Sequence, residues 1–262
     1  MRALPLLLLG ACRVLIDEST LFASDTGGSA NPRDTGDAPD ELVDLSEVYA
    51  DGDVVCEVVN VERGAVIAVN LRTGAAGHLS DLATEEAWAP NSLATDGAWW
   101  AYSVTAGGAW AQRPADGRHE DLGLSMASLA YGDGRWYVWD LAELQVLEYA
   151  DADALVDDDS PRIHAFQDWS WVSFDVHDGM LYGAGVDGVT LRVFDLAQGV
   201  LARTVPIALP ATWLDGFSMS ERGAHVLEEG VILTFDPETG SERSRTVIAD
   251  GPARSLGGLS CG

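Results

Sequence analysis

The sequence predicts an all-β fold made of repeated four-stranded units, and three observations carry the prediction. A turn signal follows a short apolar run at Ala50-Asp51-Gly52, Thr95-Asp96-Gly97, Gly132-Asp133-Gly134 and His177-Asp178-Gly179, with a degenerate copy at Glu221-Arg222-Gly223. These glycines stand 45, 37, 45 and 44 residues apart. A second turn closes a later strand of four of the five units at Leu71–Gly74, Pro114–Gly117, Leu196–Gly199 and Pro237–Gly240. The segments between are short, rich in β-branched and aromatic residues, and apolar on both faces, as strands buried on both sides must be. In Arg135-Trp136-Tyr137-Val138-Trp139, Trp136 and Val138 share one face and Tyr137 and Trp139 the other. Four short strands in a unit of about 40–45 residues is the arithmetic of a β-propeller blade.

The chain begins with one positive charge at Arg2, an apolar run through Leu9, and small residues before Cys12, the order of an export signal. Leu9-Gly10-Ala11-Cys12 resembles the lipobox of bacterial lipoproteins. The resemblance implies cleavage after residue 11 and lipidation of Cys12. Residues 1–11 are thus expected to be a lipoprotein-type signal peptide, and 12–45 the lipidated cysteine and a flexible acidic linker. The linker expectation rests on Asp25–Asp40, which has little apolar side chain to bury and many turn residues. The expected location is the bacterial cell envelope, in the outer membrane or periplasm, with secretion the alternative if Cys12 is not lipidated.

Residues 46–262 are then the folded domain. Strands are expected at Ser92–Thr95, Ala98–Val104, Ala109–Arg113, Arg135–Asp140, Val146–Tyr149, Leu191–Asp195 and Val231–Asp236. Five units of about 41 residues fit residues 46–250, with six blades the alternative if residues 40–46 and the tail build a partial one. The third unit replaces its second turn with Asp151–Ser160. The tail Pro252–Gly262 is expected to add a strand that closes the ring on the first blade. Cys56 and Cys261, the cysteines left after Cys12, are expected to bridge in an oxidising compartment. Two buried free thiols are the alternative. A bridge would make the closure covalent.

The apolar-x-x-Asp-Gly turns and Phe235-Asp236-Pro237-Glu238-Thr239-Gly240 resemble the YVTN, NHL and PQQ-like propeller repeats of bacterial exported proteins. The sequence departs from WD40 repeats, since Trp139-Asp140 lacks a preceding Gly-His partner. It also lacks the per-blade tryptophan motif of the PQQ type, which argues against a quinone.

Composition narrows the function. The 262 residues are 47 % hydrophobic, with 42 acids against 15 bases and a net charge of −27; every base is Arg. Such a field repels phosphate backbones, so no nucleic-acid partner is expected, and membrane contact is expected only through the lipid anchor. Cations, sugars or basic partners suit it better.

Several motifs resemble catalytic signatures without their context. Gly183–Gly188 fits G-x-G-x-x-G, but a strand follows where a dinucleotide site needs a helix. Gly258–Gly262 fits G-x-S-x-G without room for the rest of a triad. Asp25-Thr26-Gly27 and Asp34-Thr35-Gly36 match aspartic-protease triplets but lie nine residues apart in the linker. The five histidines show no metal-ligand spacing.

Three residue sets remain as candidates. The acidic insert, Asp151, Asp153, Asp157, Asp158 and Asp159, is the place for a cation, and calcium is the one cofactor it suggests. Trp169 and Trp171, beside Asp168, suit an aromatic platform for a sugar or peptide. Asp51, Asp96, Asp133, His177 and Asp178 precede the inner turns and are the candidates to converge on a central channel. The reading favoured is a monomeric, non-catalytic lipoprotein whose propeller binds a protein or small ligand of the envelope. The alternative is a divalent-cation-dependent propeller enzyme of the lactonase or streptogramin-lyase kind.

Overall fold

The computed structural model describes residues 42–49, 53–82, 90–104, 108–124, 128–140, 143, 145–166, 171–185, 190–208, 214–249 and 256–262. A one-turn helix, α1 (Leu45–Val48), is capped by Asp44 and precedes the strands. Blade one takes β1 (Val55–Asn60), β2 (Ala65–Asn70) and β3 (Ala76–Asp81). Blade two is β4 (Pro90–Thr95), β5 (Trp100–Val104), β6 (Ala109–Arg113) and β7 (Arg118–Asp121). Blade three is β8 (Ser128–Gly132), β9 (Arg135–Asp140), β10 (Gln145–Tyr149) and β11 (Arg162–Ala165), with helix α2 (Ala152–Val156) before its last strand. Blade four is β12 (Trp171–His177), β13 (Met180–Gly185), β14 (Thr190–Asp195) and β15 (Val200–Pro206). Blade five is β16 (Gly216–Ser220), β17 (Gly223–Glu228), β18 (Val231–Phe235) and β19 (Glu242–Val247).

The last strand, β20 (Leu256–Cys261), does not start a sixth blade. It pairs antiparallel with β1 and makes a sheet of order β20-β1-β2-β3. The protein is therefore a five-bladed β-propeller whose first blade is completed by the tail, and a disulfide joins Cys56 to Cys261 within it. The innermost strands β20, β4, β8, β12 and β16 each touch the next and close the ring.

Side chains fill the gaps between blades. Trp99 and Ala101 of blade two meet Trp136 and Val138 of blade three, while Tyr137 and Trp139 turn the other way, onto Phe174 and Val176 of blade four. This is the period-2 alternation read from the sequence, with each face buried against a different neighbour. Blades four and five share Val193, Phe217 and Phe235; blades five and one share Leu227, Ile232 and Val58. Val59 and Val66 complete the circle against Leu93 and Tyr102 of blade two.

The recurring turns have two local causes. Asp133-Gly134 and Asp178-Gly179 both hold positive φ at both positions, 53° and 72°, then 51° and 71°. That is the two-residue hairpin geometry that Asp-Gly favours. The later turns are held by a carboxylate or amide at their start: Asp236 Oδ1 accepts from the backbone N–H of Glu238 and Thr239, and Asn70 Oδ1 from Arg72 and Thr73. In blade three, α2 replaces this turn.

Candidate functional site

At the ring's centre, where the β4–β5, β8–β9 and β12–β13 hairpins lie, a cavity of about 370 Å³ opens. Several blades build its wall. Glu57 comes from β1, Thr95 from β4, Tyr131 from β8, Asp175 from β12 and Cys261 from β20, with Tyr49 following α1.

Asp175 is the most constrained of these. Phe174 and Val176 point between blades three and four, so strand alternation turns Asp175 the other way. Its Oδ2 accepts from Ser218 Oγ at 2.9 Å and Met219 N–H at 2.7 Å on β16, and its Oδ1 from its neighbour Val176 N–H. Ser218 Oγ in turn accepts from Cys261 N–H at 2.9 Å. One carboxylate thus ties blade four to five, and through one hydroxyl to the closing strand of blade one. Burial pushes its pKa up to about 6, against the pull of those hydrogen bonds.

Glu57, half-buried, is the second carboxylate at this mouth. Burial raises its pKa, while Trp100 Nε1, reaching across from blade two, donates to Oε2 and lowers it. Among the described residues, neither Glu57 nor Asp175 has an ion-pair partner. Tyr49 lies half exposed at the rim, its hydroxyl pKa raised by burial and by the charge of Glu57. The Tyr131 ring leans on Trp136, with centroids 5.2 Å apart.

The structure scatters the residues singled out in the sequence. Asp96 Oδ1 accepts from the N–H groups of Ala98 and Trp99 and serves its own hairpin. Asp133 reaches the neighbouring hairpin, accepting from the N–H of Asp178 at 3.1 Å and of Gly179 at 2.6 Å. His177 lies close enough to Asp175 to lower its pKa, and its Nε2 is 3.7 Å from the exposed Asp178 carboxylate. Asp133, His177 and Asp178 therefore gather where blades three and four meet, whereas Asp96 stands apart. Asp51, Cys12 and Trp169 lie outside the described residues, as does the side chain of Trp171, whose backbone starts β12 opposite Gly185.

In the acidic insert, Asp151 caps α2 by accepting from Ala154 N–H, and Asp153 lies 3.5 Å from Arg118. Asp157 ends the helix, its N–H bonding back to Asp153 O. Asp158 accepts from Tyr149 O–H and Asp159 from Ser160 O–H. Among the described residues no three His, Cys, Asp or Glu side chains are grouped so as to hold a metal ion. No described helix is long and apolar enough to cross a membrane.

Glu57 and Asp175 escaped the sequence reading because neither sits at a turn or in a spaced motif; each is an interior strand position. The available signal was an Asp between Phe174 and Val176, where both faces of the strand are buried.

No protein-family model and no curated protein matches the chain. Solved structures do. A chain of the nidogen/laminin complex aligns with a TM-score of 0.50 at 11 % identity, over 79 % of this chain and 98 % of that one. Glutaminyl cyclase of Myxococcus xanthus aligns with a TM-score of 0.45 at 16 % identity, over 65 % and 69 %. Apo AztD of Citrobacter koseri scores 0.36 at 16 % identity, over 76 % and 55 %. At these identities the likeness is one of fold alone.

Proposed function

We propose that this protein is an exported, lipid-anchored binding propeller, without chemistry of its own, that takes a small cationic ligand in the central cavity. One observation supports the ligand class: the buried Asp175 and the half-buried Glu57 stand at one mouth, neither in a salt bridge among the described residues. A buried carboxylate without a counter-charge is costly, and an amine or guanidine entering the cavity offsets that cost. The rings of Tyr49 and Tyr131 at the same wall offer π-faces to such a cation. A cavity of about 370 Å³ suits a molecule of metabolite size. The anchor rests on the Leu9–Cys12 lipobox, and the acidic segment that follows is the tether holding the propeller off the membrane.

The test is calorimetric titration of the full-length protein with arginine, spermidine and, as a neutral control, glucose. The reading expects saturable binding of a cationic probe, weakened at least tenfold by Asp175→Asn and by Glu57→Gln, and no response to glucose. Binding of glucose alone, or equal binding of cations by both variants, overturns it. For the anchor, Cys12→Ser is expected to move the protein from the membrane to the soluble envelope fraction.

A further inference from the structure

A second, larger cavity of about 690 Å³ lies between blades five and one, and its chemistry is opposite to that of the central mouth. Arg72, Arg222, Arg243 and Arg245 line it, four of the 15 basic residues in a chain of net charge −27. Glu221 is the one carboxylate among the described lining residues. Three of these arginines are paired with carboxylates that are not among the lining residues. Asp53 grips Arg72 through Nε at 2.8 Å and Nη2 at 2.9 Å, Asp236 holds Arg243 at 2.6 Å, and Glu242 holds Arg245 at 3.1 Å.

These pairs fix guanidinium groups that still have other N–H donors to offer, since each carries five. Neutral groups form the floor. His225 is fully buried, with Ser220 Oγ 2.7 Å from Nε2 and Thr234 Oγ1 3.0 Å from Nδ1. The two walls are fastened together: Thr246 donates its hydroxyl to Leu71 O, and Ala249 N–H bonds to Gly74 O at 3.0 Å.

We propose that this groove binds a small, multiply charged oxyanion carrying phosphate or carboxylate groups. Guanidinium forks match both groups in a bidentate manner, and holding the forks in place beforehand removes part of the ordering cost of binding. The overall negative field repels long polyanions. A short anion is recognised in the groove by the remaining guanidinium N–H donors rather than by net charge, since Asp53, Asp236 and Glu242 neutralise Arg72, Arg243 and Arg245. The inference is independent of the central cavity, which takes the opposite charge.

The experiment titrates the full-length protein with sodium pyrophosphate and, separately, sodium citrate, against sodium chloride of equal ionic strength. Binding is read by calorimetry and by the melting temperature. Pyrophosphate, citrate or both are expected to bind and to raise the midpoint by several degrees at 10 mM. Which of them binds tells phosphate from carboxylate recognition. Arg222→Gln with Arg245→Gln is expected to weaken binding at least tenfold. Arg113→Gln, which removes a paired arginine on blade two, is the control expected to leave binding unchanged. Absence of binding by both anions, a chloride effect of equal size, or equal loss in the Arg113 control overturns the proposal. Should the double variant misfold, Arg222→Gln alone, on an exposed turn, is expected to weaken binding at least threefold, and unchanged affinity overturns it.

Discussion

Reducing the Cys56–Cys261 disulfide opens a covalent loop that spans 205 residues of sequence. In the chain-entropy account, closing a loop of that length removes about 18 cal/mol/K from the unfolded chain, or about 5 kcal/mol at 25 °C. A domain of ~220 residues with ~2.1 cal/mol/K of unfolding entropy per residue loses ~0.46 kcal/mol for each degree near its midpoint. Reduction is therefore expected to lower the melting temperature by about 11 °C. The backbone ladder between β1 and β20 is common to both states, so the difference isolates the cross-link. The assay is scanning calorimetry of the full-length protein with and without a thiol reductant, the redox state being verified by mass after alkylation. Cys56→Ala with Cys261→Ala is the second arm and is expected to fall at least as far. A drop below ~3 °C in both arms would refute the reasoning, because strand pairing alone would then hold the ring shut.

Three further outcomes follow from the geometry. The pKa of Asp175 in the folded protein, about 6, lies above its ordinary value, so the folded state holds a proton that the unfolded state releases. This contribution is full below about pH 4 and is lost as pH rises through 6, amounting to ~3 kcal/mol. Thermal melts from pH 4.5 to 7.5 are expected to show that slope in the parent protein and to lose it in Asp175→Asn; an unchanged slope would assign it elsewhere. Gly258→Ala places a methyl 3.0 Å from Leu93 Cβ at a φ of +63°, where β20 passes β4. A cost of ~1–3 kcal/mol in urea unfolding is expected, and a neutral result would show that β20 shifts freely. Calcium up to 1 mM is expected to leave the melting temperature within a degree of its value in EDTA, since the insert's carboxylates cap a helix and accept local hydrogen bonds. A rise of several degrees would place a cation site in the protein.

The ring was legible because its signals are local. Asp133-Gly134 and Asp178-Gly179 adopt the paired positive φ values that such dipeptides favour, so each marks a hairpin and their spacing counts blades. The opposed faces of Trp136 and Tyr137 showed that strands were covered on both sides. Side-chain destinations were not legible, because they depend on which blade lies next door. Asp133 looked like a channel residue, yet its carboxylate bonds to backbone 45 and 46 residues away. The acidic insert reads as a loop from charge density, whereas Asp151 and the apolar Leu155 make a capped turn of helix there. The arginine groove joins residue 72 to residues 222, 243 and 245 across the blade junction, a proximity that no local pattern records.

Blade one also has a consequence in time. Its three outer strands are made early, but the strand that completes its inner edge follows some 200 residues later. Until Leu256–Cys261 has been synthesised and delivered, β1 presents a bare row of N–H and C=O groups, and Cys56 remains a thiol. Blades two to five can gather around the axis in the order they appear, whereas the first blade begun is the last to be finished. The protein thus couples maturation to completion of this whole stretch. An interrupted chain leaves an unpaired strand edge for proteases and chaperones to find, instead of a smaller closed ring.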